Sequence, residues 1–259
     1  MNPLTCPVPA FDTETILLGH GSGGKLSADL FRSMILPAFA NPILSKMDDQ
    51  ALFEIGGARL AFSTDSYVVK PLFFRGGDIG SLAVHGTVND LAVGGAIPLF
   101  LSAAFILEEG FPVESLRKII ASMKEAAHHS DVQIVTGDTK VVEKGSCDGM
   151  FINTAGIGVV KTGLCLSGDQ ARPGDVILLS GPVGDHGVAI LAEREGLSFE
   201  SEIMSDTAPL HFLIADLLAT GAAIRCMRDP TRGGVASALN EIAQTSRVGI
   251  QLEERAIPV

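Results

Sequence analysis

The sequence predicts an α/β (α+β) protein of two domains, the second of them incomplete. Three observations carry this reading. Strand-length apolar runs alternate with amphipathic helical stripes along the chain. Glycine-containing turns punctuate the alternation. A turn-rich stretch, residues 163–174 running into Asp175, divides it into two unequal parts.

The elements follow in order. Residues 1–15 form an irregular arm, broken by Pro3, Pro7 and Pro9 and lacking the pattern of a signal peptide. Residues 16–18 read as a short strand before the loop Gly19-His20-Gly21-Ser22-Gly23-Gly24-Lys25. A helix follows, with Leu26, Leu30 and Met34 one turn apart. Residues 59–63 are a strand. Gly76-Gly77-Asp78 opens a helix striped by Ile79, Leu82, Ala83 and Gly86, and Gly94-Gly95 closes it. Residues 99–107 are a buried strand. Val113, Leu116, Ile119, Ile120 and Met123 mark an amphipathic helix, and strands follow at 132–136 and 150–160.

Past the boundary, a strand at 176–180 begins the second unit. Gly184-Asp185-His186-Gly187 opens a helix, and Leu210, Leu213, Ile214, Leu217 and Leu218 stripe another. A strand at 224–227, a helix at 233–244 and a strand at 248–252 complete it. Such a sheet has an exposed edge, which either a partner subunit covers or a longer chain would fill.

Composition narrows the function. The chain has 259 residues, 46 % hydrophobic and 19 % charged, which describes a globular protein. A formal net charge of −11 argues against nucleic acid as main partner, because phosphate neutralisation needs a basic face. The uncharged run at 91–107 contains Gly94, Gly95 and Pro98 and reads as helix end, turn and strand, so no membrane span is expected. Cys6, Cys147, Cys165 and Cys226 have no paired metal spacing and suit reduced thiols in a cytoplasmic protein.

Carboxylates in apolar surroundings carry the chemistry. Ile134-Val135-Thr136-Gly137-Asp138-Thr139-Lys140-Val141 delivers an Asp and a Lys after an apolar run, Asp65 closes a strand, and Asn89-Asp90 sits on an otherwise apolar helix. Burying several carboxylates is costly unless cations lie between them, so the pattern points to a Mg²⁺–nucleotide site. Each motif also has a plainer reading. Gly21 to Lys25 is either a phosphate cradle or a flexible loop, and it lacks the P-loop spacing. Asp48-Asp49 is a ligand pair or a solvated turn, Asp90 a ligand or a buried hydrogen-bonded group. Asp138 and Lys140 form a Mg²⁺ and phosphoryl pair or a hairpin turn with a surface ion pair. Arg228-Asp229-Pro230-Thr231-Arg232-Gly233-Gly234 is a second phosphate-facing loop or a capped helix start. His186 is an acid–base group or structural, and His128-His129 is a solvated helix end.

Taken together, Gly-His-Gly-Ser-Gly-Gly-Lys from Gly19, Ser63-Thr64-Asp65-Ser66-Tyr67-Val68, Asn89-Asp90-Leu91-Ala92-Val93 and Gly137-Asp138-Thr139-Lys140-Val141 resemble the hydrogenase maturation family HypE. So do Phe105-Ile106-Leu107-Glu108-Glu109-Gly110, Phe151-Ile152-Asn153-Thr154-Ala155-Gly156, Gly184-Asp185-His186-Gly187 and the Arg228–Gly234 loop. The wider superfamily includes aminoimidazole ribonucleotide synthetase, selenophosphate synthetase and thiamine-monophosphate kinase. The resemblance implies an ATP-binding and dimerisation domain at 16–162, a linker at 163–174 and a second domain at 175–259. It implies a homodimer formed through the sheets. Mg²⁺ would be held by Asp49, Asp65, Asp90 and Asp138. The nucleotide would meet Gly21, Gly23, Gly24, Lys25, Asp65, Asn89, Gly137, Thr139 and Asp229, with Lys140, Asp138 and Asp90 catalytic.

The family's reaction, as the resemblance implies it, supplies the cyanide ligands of NiFe-hydrogenase iron. HypF carbamoylates a C-terminal cysteine, ATP-dependent dehydration turns the S-carboxamide into a thiocyanate, and the HypC–HypD complex receives the cyano group. Family members end in Pro-Arg-Ile-Cys, which this chain does not show, so the expectation is a truncated form that binds nucleotide without completing the reaction in cis. Two alternatives remain open. One is another ATP-using synthetase or kinase of the superfamily, though Ser22 stands where a selenophosphate synthetase carries cysteine or selenocysteine. The other is a non-catalytic maturation scaffold.

Overall fold

The computed structural model describes residues 14–197 and 203–259. The arm and Cys6 lie outside the described residues, apart from residues 14 and 15. The expected strand at 16–18 is absent. Leu18–Gly21 forms a 3₁₀ turn instead, closed by the Leu17 amide donating to Nδ1 of the buried His20 at 2.9 Å. Helix α1 (Lys25–Leu30) continues through a π turn, Phe31–Ile35, into α2 (Leu36–Phe39).

Strands β1 (Ala51–Ile55) and β2 (Ala58–Tyr67) form a hairpin, and a two-residue ladder joins β3 (Phe73–Phe74) to β4 (Gly77–Asp78). Helix α3 (Ile79–Val93) starts where expected, because Asp78 accepts hydrogen bonds from the Gly80 and Ser81 amides at 2.6 and 3.1 Å. Then come β5 (Ala96–Glu108), α4 (Val113–His129), β6 (Gln133–Val142) and β7 (Met150–Val160). The main sheet runs β1-β2-β7-β5-β6, antiparallel except for the β5–β6 pair. Helices α3 and α4 cover one face, packing Ile79, Val84, Val88, Ile119 and Met123 onto Leu101, Met150 and Ile152. On the other face Phe62, Phe100 and Ile106 are each about two-fifths exposed.

Two strand boundaries differ from expectation with consequences for the site. β2 extends to Tyr67, so Asp65 lies within the ladder opposite Thr154 rather than past a strand end. β6 extends through Gly137-Asp138-Thr139-Lys140, which is therefore neither a mouth loop nor a hairpin turn. The parallel ladder with β5 continues there, pairing Ala103 with Gly137, Ala104 with Asp138 and Ile106 with Lys140. Gly137 is needed for that approach, since a Cβ would collide with the Ala103 carbonyl.

Beyond residue 160 the described chain holds α5 (Asp185–Glu195), α6 (His211–Ala219) and α7 (Gly234–Ser246). The strands expected at 176–180, 224–227 and 248–252 are not formed. These stretches are not helical, but no ladder partner lies beside them among the described residues, and Val176 and Leu178 are about four-fifths exposed. An apolar run is a strand only when another strand takes up its backbone groups. Cys147, Cys165 and Cys226 are free thiols. Among the described residues no helix is long and apolar enough to cross a membrane.

Candidate functional site

Three largely desolvated carboxylates converge from distant parts of the chain. Asp49 precedes β1, Asp90 lies in the last turn of α3, and Asp229 lies before α7. The Ser63 hydroxyl, on the helix-covered face of β2, sits 2.6 Å from Asp90 Oδ2 and 3.0 Å from the Asp49 carbonyl. Burial pushes the Asp49 carboxyl up to about 7, against the opposing pull of Arg228. Burial likewise raises Asp90 to about 8, with the charges of Asp49 and Asp65 adding to it. Asp229 is raised well above the ordinary range by burial, then by Asp90 and Asp49.

One atom is conspicuous. Asp49 Oδ2 is buried and has no hydrogen-bond partner, while Oδ1 lies 3.2 Å from the Arg228 guanidinium. Arg228 also donates to the Met47 carbonyl at 2.9 Å and pairs with Glu241 on α7. Asp48, in contrast, is fully used: it accepts from Ser167 Oγ at 2.7 Å and the Gly168 amide at 2.8 Å, pinning the segment after β7 to β1. Glu241 was not singled out from sequence, and Arg228 and Ser63 were named only within the Arg228–Gly234 and Ser63–Val68 motifs, without these roles. The signal for Arg228 was a basic residue after the apolar run that precedes Asp229-Pro230, and its role depends on partners distant in the chain.

The two glycine loops meet face to face. A Cβ on Gly23 (φ +73°) would strike the Arg232 carbonyl, and one on Gly233 (φ +82°) would strike the Gly23 carbonyl. Arg232 in turn donates to the Val68 carbonyl at 3.2 Å, bringing both loops to the Asp65 end of β2. Gly21 faces open space, Gly24 precedes α1, and Lys25 pairs with Asp29 one turn on.

Other expected residues stand apart. Asp65 shares the helix-covered face with Ser63, and its charge reaches Asp90. Asp138 and Lys140 lie three strands away, on the opposite face, paired to each other at 2.8 Å and exposed. Gly137 and Thr139 alternate with them on the same strand, in register with Ala103 and Phe105, and are equally far across the sheet. Lys140 and the Thr139 amide hold the Asp138 carboxyl below its usual range. Asn89 points away from the carboxylates and clamps the chain before α6. Its amide donates to the Ala208 carbonyl at 3.0 Å and accepts from the Leu210 amide at 2.8 Å. Asn89→Ala is expected to cost about 2 kcal/mol by orphaning both backbone groups. Thermal unfolding would show the loss, and faster amide exchange at Leu210 would locate it. His186 bonds Ser205 at 2.8 Å and meets Phe74 edge-on, a structural role.

Among the described residues, no group of three or more His, Cys, Asp or Glu side chains is arranged to hold a metal ion without rearrangement. The unpartnered Asp49 oxygen beside Asp90 and Asp229 nonetheless has the chemistry of a hard-cation site: charged oxygen donors, buried, with one acceptor unsatisfied.

AIR synthase related protein, N-terminal domain, matches residues 47–160, and its C-terminal domain matches residues 172–259. The chain is 59 % identical over 240 residues to a carbamoyl dehydratase HypE of Azotobacter vinelandii, covering 93 % of this chain and 70 % of the relative. A HypE–HypF complex contains a chain 55 % identical, superposing with a TM-score of 0.84 over 89 % of this chain and 74 % of that one. A HypE crystallised with ATP is 52 % identical, with a TM-score of 0.77 over 95 % and 73 % of the respective chains.

Proposed function

Because this chain belongs to the HypE family of AIR synthase related proteins, we propose that it serves NiFe-hydrogenase maturation as an ATP-dependent carbamoyl dehydratase. The observation that carries the reading is the free, buried Asp49 oxygen among mutually repelling carboxylates. Asp49, Asp90 and Asp229, with Asp65 at the rim, would hold Mg²⁺. Nucleotide would lie between this cluster and the apposed glycine loops. Bound Mg-ATP would supply the phosphoryl group that makes the carboxamide oxygen a leaving group, and departure of phosphate with loss of both amide protons would leave a cysteine S-carboxamide as a thiocyanate.

The chain's own residues prepare that event. Ser63 orients Asp90, Arg228 fixes Asp49, and the Gly23–Arg232 contact holds the two glycine loops together. Lys140 would neutralise charge developing on the phosphoryl oxygens. Its place on the outer sheet face suits a homodimer formed through that face, in which the pair Asp138–Lys140 serves a site shared between copies. The exposed Phe62, Phe100 and Ile106 support such an interface. HypF and the HypC–HypD complex are the further partners of this reading, in the cytoplasm. The modified cysteine tail of the family is a separate requirement for turnover.

Calorimetric titration of this chain with ATP tests the site. Binding should require Mg²⁺ and disappear in Asp49→Asn. Nucleotide binding indifferent to both would sink the reading, and phosphoryl transfer to a small soluble substrate such as thiamine monophosphate would favour a kinase instead.

A further inference from the structure

Among the described residues Arg228 is the one cation paired with a carboxylate of the cluster, and its other partner Glu241 comes from a different element. The guanidinium side chain is 15 % exposed and Asp49 17 % exposed, so this is a largely desolvated contact rather than a surface pair. Nη1 meets the Met47 carbonyl and Asp49 Oδ1, and Nη2 meets Glu241. The result is a carboxylate held by one oxygen with the other left bare.

We propose that Arg228 is a positioning residue for the cation site. It locks Asp49 with Oδ2 presented, and Glu241 tunes how strongly it competes with the incoming cation. An arginine alone beside Asp49 would act as a built-in rival to Mg²⁺, drawing Asp49 into a two-oxygen pair. Glu241 draws off part of that charge, so Arg228 bonds only one Asp49 oxygen. Because Glu241 sits on α7, the link that Arg228 makes between this helix and the segment before β1 is coupled to cation affinity. This inference rests on the metal reading of the cluster.

The test uses Mn²⁺ as probe, titrated by electron paramagnetic resonance, with thermal unfolding of the cation-free protein measured alongside. Glu241→Gln removes one negative charge and returns Arg228 to Asp49, so Mn²⁺ affinity should fall about tenfold. Arg228→Lys keeps the charge but cannot span the three partners, so affinity should fall comparably. Asp175→Asn, which breaks the pair with Arg225, about one-third exposed and not among the cluster's contacts, serves as control and should leave Mn²⁺ affinity unchanged. Wild-type affinity in both cluster variants, with only the unfolding temperature lowered, would make the pair structural and overturn the inference. Absence of Mn²⁺ binding by the wild-type chain would overturn the metal reading itself, and this inference with it. If Glu241→Gln fails to fold, Arg228→Lys decides alone.

Discussion

Asp90→Asn is expected to weaken Mg²⁺-dependent nucleotide binding at least about 100-fold and, in the same protein, to raise the stability of the cation-free fold. The first effect follows from removing a direct cation ligand, since loss of even an outer-shell partner costs roughly 10–100-fold in metal affinity. The second follows from what the carboxylate does without a cation. Asp90 is raised by its own desolvation and then by the charges of Asp49 and Asp65, and it in turn raises Asp229. An asparagine keeps an oxygen to accept from Ser63 while deleting the charge, relieving on the order of 1–2 kcal/mol of repulsion and desolvation. A group kept for packing would behave oppositely, losing stability with no change in cation dependence. Calorimetry with and without Mg²⁺, beside a melting curve, separates the two. A destabilised Asp90→Asn protein that still requires Mg²⁺ for nucleotide would remove Asp90 from the site.

The sites that were legible in the sequence and those that were not differ in a physical way. Helix α3 could be bounded in advance because its stop signals are local: Asp78 caps one end and Gly94-Gly95 closes the other. Asp90 stood out because a charge on an apolar helix needs a reason. β6 was misjudged at its end because an edge strand with no buried face carries no alternation, and Gly137-Asp138-Thr139-Lys140 has the composition of a turn. The β5 ladder decides the matter, through a contact between Gly137 and Ala103 that no local pattern reveals. The three unformed strands fail for the converse reason: their local propensity is right, but pairing is not a local property. Asn89 and Asp90 are neighbours with opposite assignments, one turned to the Ala208–Leu210 backbone and one to the carboxylates, which helix geometry alone requires of adjacent residues. Arg228 reaches Met47 across 181 residues, beyond any spacing argument.

The cation-free protein should lose stability as pH rises from about 6.5 to about 8. Asp49 and Asp90 have an ordinary value of 3.8 and reach about 7 and about 8 when folded. Between those limits the folded state binds more protons than the unfolded one, so stability falls as they are removed. Histidine opposes this at lower pH. His85, lowered by burial from 6.5 to about 4, is neutral when folded and charged when unfolded, which adds stability as pH climbs from 4 to 6.5. His186 and His211 are shifted in the same direction by burial. The two trends partly cancel below pH 6.5, and above it the carboxylates act alone. At about 1.4 kcal/mol per pH unit for one group, the loss is about 2 kcal/mol, or roughly 4–8 °C in melting temperature. Saturating Mg²⁺ supplies the missing positive charge, so its stabilising effect should be larger at pH 8 than at pH 6.5. Asp90→Asn should flatten both dependences, because its amide has no proton to lose. Melting curves at the two pH values, with and without Mg²⁺, measure all of this in one experiment. Stability that is level or rising across the interval, with an equal Mg²⁺ effect at both ends, would mean that the carboxylates are not held protonated against one another, and the cation site would lose its electrostatic basis.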